Sequence, residues 1–252
     1  MTDLAVHEWG SGTPVVLAHG SLSPATEEWP AQRPLADQGF HLIAPDRRGY
    51  GASPATTGED YLRDADDLAP LLGGAHDDGG VHLVGHSYGG LVAMVAAACN
   101  PGSVRSLALL EPPAFAATRN QPAATAIEDR LRAMWDDDVP DRDWLLGFLE
   151  VVGTDPDDLP PGVLDEIVSF VPLVRRSRPP WDGELPIADL AAAPFPTLVV
   201  SGGHSDGFEA MSDELASRIG ASRAVVEGAG HEVQFTGDPL NELLLELWRS
   251  AP

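Results

Sequence analysis

Gly85-His86-Ser87-Tyr88-Gly89 lies between a short apolar run, Val81 to Val84, and a longer stretch of small apolar residues, Tyr88 to Cys99. The run has the length of a buried strand and the stretch that of a buried helix. The pentapeptide is therefore read as a tight strand-to-helix turn with a serine at its apex. Such a turn crowds its neighbours, which accounts for the glycine at each flanking position, and Gly90 adds further room. The turn would raise the Ser87 hydroxyl above the sheet, beside a helix N-terminus whose dipole favours a developing anion.

The same rhythm extends outward in both directions. Val15 to Ala18, Phe40 to Ala44, Val104 to Leu110, Thr197 to Val200 and Ala224 to Val226 are short apolar runs, each closed by a turn or breaker, and Leu4 to Trp9 adds an edge strand. Continuous runs of this kind suit strands covered on both faces. Helices are predicted over Glu27 to Gln38, Tyr61 to Leu72, Tyr88 to Cys99, Phe208 to Ile219 and Pro239 to Trp248. The alternation predicts an α/β fold, a mostly parallel central sheet with helices on both faces. Ligands of such sheets bind outside the carboxyl ends of the strands.

One stretch breaks the alternation. Between Pro112 and Pro194 there is no strand pattern, only helical segments near Ala123–Trp135, Asp143–Val152 and Leu164–Arg175, separated by Pro/Asp/Gly clusters. A plain connection of that length is improbable inside a compact domain. The expected organisation is a core of residues 1–111 and 195–252 with an inserted helical cap at 112–194.

Composition narrows the partners. The 252 residues carry 39 acidic and 15 basic groups, a formal net charge of −24, and every basic residue is arginine. So acidic a chain is repelled by nucleic acid phosphates and by anionic membrane surfaces. Without lysine there is no Schiff-base chemistry and no P-loop lysine. The cap region holds 16 of the acids against seven arginines, as in a solvated surface. The single Cys99 allows no internal disulfide. There is no apolar window long enough to span a membrane and no leader pattern at Met1-Thr2-Asp3-Leu4, so a cytoplasmic location is the expectation. No short metal-ligand spacing and no dinucleotide fingerprint is present, so no cofactor and no metal are expected.

Four landmarks now stand in order: His19-Gly20 after an early strand, Asp46-Arg47-Arg48-Gly49-Tyr50-Gly51-Ala52-Ser53, the Gly-His-Ser-Tyr-Gly turn, and Gly228-Ala229-Gly230-His231 near the end. Together they resemble the α/β-hydrolase family over nearly the whole chain. The resemblance implies Ser87 as nucleophile and His231 as general base. It also implies an oxyanion hole made by the backbone N–H groups of Tyr88 and Ser21, with the Asp46–Ser53 turn shaping the loop below. Haloalkane dehalogenases and epoxide hydrolases of this fold place aspartate at the turn, so Ser87 points instead to an acyl-enzyme.

Two carboxylates compete for the third place. The family's usual acid follows the strand after the cap, but the expected position is Ser205, and Asp206 lies one residue late. Asp206 also suits a helix N-cap ahead of Phe208. Glu111 ends Val104–Leu110, 24 residues after Ser87. That spacing is similar to a minority of the family, including the zearalenone lactonases, and Glu111 is preferred, with Asp206 the alternative. The implied activity is a serine esterase or lactonase acting on a medium-sized hydrophobic substrate. The alternatives are C–C bond hydrolysis or cofactor-free perhydrolysis on the same residues, and then a non-catalytic binding protein. Trp135, Trp144, Phe148 and Trp181 of the cap are expected to line an apolar pocket over Ser87. The expected partner is a small hydrophobic ester or lactone, and a homodimer is compatible with the sequence.

Overall fold

In a computed structural model, residues 3–73 and 79–251 of the chain are described. Seven strands form one sheet: β1 Val6–Gly10, β2 Thr13–Ala18, β3 Phe40–Pro45, β4 Val81–His86, β5 Val104–Leu110, β6 Thr197–Ser201 and β7 Ser222–Val225. Their order is β1-β3-β2-β4-β5-β6-β7. Every neighbouring pair is parallel except β1, which runs antiparallel along β3 with Val6 opposite Pro45. The expected α/β architecture is thus present, edge strand included.

Ten helices accompany the strands: α1 Ala25–Glu28, α2 Tyr61–Gly73, α3 Tyr88–Cys99, α4 Pro122–Trp135, α5 Asp141–Val152, α6 Val163–Ile167, α7 Val171–Val174, α8 Ile187–Ala191, α9 Asp206–Ile219 and α10 Asp238–Ser250. Alternate strand residues feed two cores. Val16, Ala18, Leu83, Leu107 and Leu109 pack with α2, α3 and α9 on one face. Val15, Leu17, Val84, Ala108 and Leu110 meet Trp29, Trp248 and the apolar side of α10 on the other. Because side chains alternate along a strand, only a run apolar at every position can supply both cores.

Two expected helices are corrected. Glu27 to Gln38 is not one helix: α1 stops at Glu28, and Pro30 to Gln38 continues as a 3₁₀ helix. Pro30 and Pro34 remove two amide donors there, and each ring crowds the carbonyl four residues back. Leu164 to Arg175 is broken in the same way. A 3₁₀ turn at Val168–Phe170 separates α6 from α7, four residues ahead of the ring of Pro172. Helices α4 to α8 all fall between β5 and β6. Among the described residues no helix is long and apolar enough to cross a membrane.

The loop after β3 braces the carboxyl ends of the strands. Asp46 accepts the Ala25 N–H at 2.9 Å and the His7 ring at 3.0 Å, and Ser53 donates to the Asp46 carbonyl at 2.6 Å. Arg47 is buried beside it. Its guanidinium donates to the His19 and Gly20 carbonyls at 3.0 and 2.7 Å, to Glu59 at 2.6 Å and to Asp64 at 2.8 Å. The Arg47 N–H also reaches His19 Nε2 at 2.8 Å, while His19 Nδ1 donates to the Gly20 carbonyl. Burial pushes the His19 imidazole down to about 3, so it stays neutral and can accept that proton. At Asp64 burial outweighs the pull of Arg47, and its carboxyl rises to about 6.

Removing Arg47 strands two buried carboxylates. Arg47→Met is expected to lower unfolding stability by about 3–5 kcal/mol, the usual cost of breaking a buried ion pair from one side. Arg48→Ala, which breaks the half-buried Arg48–Asp67 pair, is expected to cost under about 1 kcal/mol. Urea titrations giving equal losses for the two variants would contradict the bracing role.

Candidate active site

Strand β4 ends at His86 and α3 begins at Tyr88, so Ser87 is the whole of the turn, held at φ 48° and ψ −123°. Among the described residues only two other non-glycine residues have positive φ, Leu22 at 73° and Glu111 at 48°. The three follow the carboxyl ends of β2, β4 and β5, which are neighbours in the sheet. Backbone in that region costs on the order of 1–3 kcal/mol per residue and persists only where the surroundings enforce it. The strain is therefore gathered at one point of the molecule.

Close approach explains the glycines of the turn. A Cβ on Gly89 would lie 2.3 Å from the Ala18 carbonyl oxygen and 2.4 Å from that of His19. The first turn of α3 thus packs directly on the end of β2, which brings Gly20 and Ser21 beside Ser87. Tyr88 opens α3, and the N–H of a first helical residue has no partner within its helix.

His231 arrives on the loop after β7. Its Nε2 is 3.0 Å from Ser87 Oγ, and its Nδ1 is 3.3 Å from Glu111 Oε2. The other oxygen of Glu111 accepts the Gly202 N–H at 2.6 Å. A Cβ on Gly202 would sit 1.8 Å from the Gly230 carbonyl oxygen, so the loop after β6 and the loop carrying His231 touch backbone to backbone. Glu111 is fully buried. Burial pushes its carboxyl up to about 7, against His204 and the Gly202 N–H, while burial drives His231 down to about 3. The imidazole is therefore neutral at ordinary pH, with one nitrogen free to accept.

The structure brings Ser87, His231 and Glu111 together and leaves Asp206 out. Asp206 is exposed at the start of α9, and Ser205, not Asp206, occupies the N-cap position. The sequence leaves Glu111 and Asp206 open because both follow parallel strands. Their separation is decided by φ at Glu111 and by the Gly202 contact, neither of which is written in residue types.

A second buried pair underlies the site. Glu28 Oε1 accepts from Gly20 N–H at 3.2 Å and from His86 Nδ1 at 2.5 Å, and Glu28 Oε2 accepts from Ser23 Oγ at 2.5 Å. His86 Nε2 donates to the His231 carbonyl at 3.0 Å. One ion pair thus ties together the loop after β2, the serine turn and the histidine loop. Burial opposes the charge on His86, but Glu28 overcomes it and holds the imidazole at about 9, and Glu28 itself falls to about 2. Sequence reasoning passed over both residues, since their positions are 58 apart and only the fold joins them.

Above Ser87 lies a small apolar cavity of about 30 Å³, roughly two to three times what a single water needs. Trp135 and Phe148 line it together with Ser21, Ser87, Tyr88 and His231. Trp144 and Trp181, expected in the lining, are absent from it. Trp144 stacks on Phe148 with its indole N–H bonded to the Met134 carbonyl, and Trp181 meets Trp135 edge to face. Both hold the lining aromatics from behind. Leu131 and Val152, not expected, do line the cavity. They lie one helical turn from Trp135 and Phe148, and that i, i+4 spacing is the sequence signal that marks them.

Known proteins share this fold. The model of the alpha/beta hydrolase family matches residues 15–243. The chain is 40% identical over 112 residues to epoxide hydrolase A of Mycobacterium tuberculosis, covering 41% of this chain and 33% of that protein. It is 36% identical over 141 residues to a non-heme chloroperoxidase of Streptomyces lividans, covering 52% of this chain and 50% of that one. The chain thus spans a third to a half of these relatives' length. A thermophilic esterase from Thermogutta terrifontis superposes with a TM-score of 0.70 at 27% identity, over 98% of this chain and 93% of that one.

The Glu28–His86 pair has a pH signature. The folded-state His86 value lies above its ordinary 6.5, so its stabilisation is full below pH 6.5 and is lost as pH rises through about 9. Calorimetry is expected to show the wild-type Tm falling between pH 7 and 9.5, and His86→Gln, less stable overall, falling less steeply. An equally steep profile in the variant would remove the charged pair from the account.

Proposed function

The chain belongs to the alpha/beta hydrolase family, and within it we propose a serine hydrolase that cleaves the carboxylic ester or lactone of an apolar substrate through an acyl-enzyme on Ser87. The observation that carries this reading is the His231 imidazole, which spans Ser87 Oγ and Glu111 Oε2 with one nitrogen on each.

In the proposed reaction Ser87 Oγ attacks the carbonyl carbon while His231 Nε2 takes the hydroxyl proton. Glu111 accepts from Nδ1–H and balances the imidazolium that forms. The N–H groups of Tyr88 and Ser21 meet the oxyanion at the positive end of α3. His231 then returns the proton to the leaving alcohol, and a water activated by the same nitrogen hydrolyses the acyl-enzyme. The oxygen nucleophile favours carbonyl chemistry over epoxide opening. A serine hydroxyl that opened an epoxide would form an ether that water does not cleave, whereas its ester with an acyl group is hydrolysed.

The cavity supports a short acyl group on Ser87. As it stands it has no room for a macrocyclic lactone, and a larger acyl chain requires the helices between β5 and β6, read as a cap, to draw back from Ser87. Trp135 and Phe148 set that limit in this reading.

Ser87→Ala is expected to abolish turnover of p-nitrophenyl acetate and labelling by a fluorophosphonate. Glu111→Gln is expected to lower kcat by about 10³–10⁴, as when a triad carboxylate is neutralised and the histidine tautomer reversed, and Asp206→Asn to leave it within about twofold, as for an exposed residue outside the site. A damaging Asp206→Asn with a tolerated Glu111→Gln would move the acid. Trp135→Ala is expected to raise kcat/KM for p-nitrophenyl hexanoate relative to acetate by about tenfold, the worth of roughly two methylenes buried at about 0.8 kcal/mol each. An unchanged ratio would remove Trp135 from the acyl site.

A further inference from the structure

His204 faces the same carboxylate at the oxygen that His231 leaves free. It stands on the loop after β6, and its Nε2–H donates to the Val152 carbonyl at the end of α5, 3.0 Å away. In the neutral ring that bond keeps the proton on Nε2 and leaves a lone pair on Nδ1. Nδ1 is buried without a hydrogen-bond partner and looks at Glu111 Oε1 across 3.8 Å. An imidazole nitrogen without a hydrogen-bond partner, facing a carboxylate oxygen in a site largely closed to water, is a geometry that a cation between them would satisfy.

His231 Nδ1 completes the arrangement. One ligand atom each from Glu111, His204 and His231 lies within 4.8 Å of the other two. Tetrahedral zinc binds such donors at about 2.0–2.2 Å, which places them about 3.4 Å apart, so donors now within 4.8 Å of one another need to close by at most about 1.4 Å. The second nitrogen of His204 already has a partner in the Val152 carbonyl. Such partners orient and polarise histidine ligands in metal sites. Two imidazoles and one carboxylate suit zinc or copper rather than calcium or magnesium, which prefer all-oxygen shells. The three residues are 93 and 27 positions apart along the chain, so no sequence spacing announces them.

We infer that Glu111, His204 and His231 form an inhibitory site for a divalent transition metal of the zinc class. Occupation would act through the tautomer. With the metal on Nδ1, the neutral His231 ring carries its proton on Nε2. That nitrogen then donates to Ser87 Oγ and cannot take its proton. The Nδ1 proton moves to Nε2 through solvent, so the ring gains and loses none. Glu111 meanwhile serves the metal instead of the imidazolium. Metal binding rests on the three residues alone, and only the inhibitory consequence rests on the serine-hydrolase reading.

Calorimetric titration of the metal-stripped full chain with zinc sulfate, in a non-coordinating buffer at pH 7.5, tests the site. The wild type is expected to bind one zinc, Ser87→Ala to bind it as well as wild type, and His204→Ala and His204→Gln to bind it at least 30-fold more weakly. In parallel, p-nitrophenyl acetate turnover is read with and without zinc. The ratio within each variant is expected to show inhibition of the wild type, reversed by EDTA, and its loss in both His204 variants. Zinc bound equally by wild type and His204 variants would place it elsewhere on the surface and overturn the site, as would the absence of binding, which leaves a proton as the only cation between His204 and Glu111. Zinc binding that depends on His204 in a protein without esterase activity would keep the metal site and discard the hydrolase reading.

Discussion

A guanidinium removed from water must have its N–H groups answered by protein, and Arg47 is the point where this fold meets that demand. Its four hydrogen bonds reach the end of β2, the loop at Glu59 and helix α2. The planar fork lets one side chain hold acceptors in four directions, which an ammonium on a flexible stem would not do. Ser21, next to the Gly20 carbonyl that Arg47 holds, donates in turn to Glu59. The position of the loop that faces Ser87 is thus set by charge buried below it, in a chain whose remaining charge is mostly acid at the surface.

The site above follows a similar economy of contacts. Three loops, after β2, β4 and β7, converge on Ser87, and each is anchored by backbone groups rather than by side chains reaching across open space. Gly20 N–H and the His231 carbonyl both close on the Glu28–His86 pair. Gly202 N–H closes on Glu111. Burial then sets the protonation states: the imidazole beside Ser87 is held neutral, and the one beneath it, paired with a carboxylate, is held charged.

Much of this was legible in the residues. The apolar runs ending in glycine or proline give the strands, and their lack of alternation gives a sheet covered on both faces. Ser87 and His231 stand out because tight turns need glycine at particular places. The helices misjudged are those where Pro30, Pro34 and Pro172 interrupt an otherwise helical pattern, a local effect that periodicity does not weigh. The aromatic lining was half legible. All four aromatics named are in the helical region between β5 and β6, but which ring faces the cavity and which backs it depends on helix rotation, and a residue's type does not encode that.

What the sequence by itself determined is the class of fold and the glycine-flanked turn that carries Ser87, because steric demands at a turn and burial along a strand act over a few neighbouring residues. What only the tertiary structure decided is the partner of His231, the pairing of Glu28 with His86, and the approach of His204 to Glu111. These contacts join residues 58 to 120 positions apart. They form because parallel strands deliver their carboxyl ends to one edge of the sheet, where the order β2-β4-β5-β6, not the order of the chain, says which loops touch.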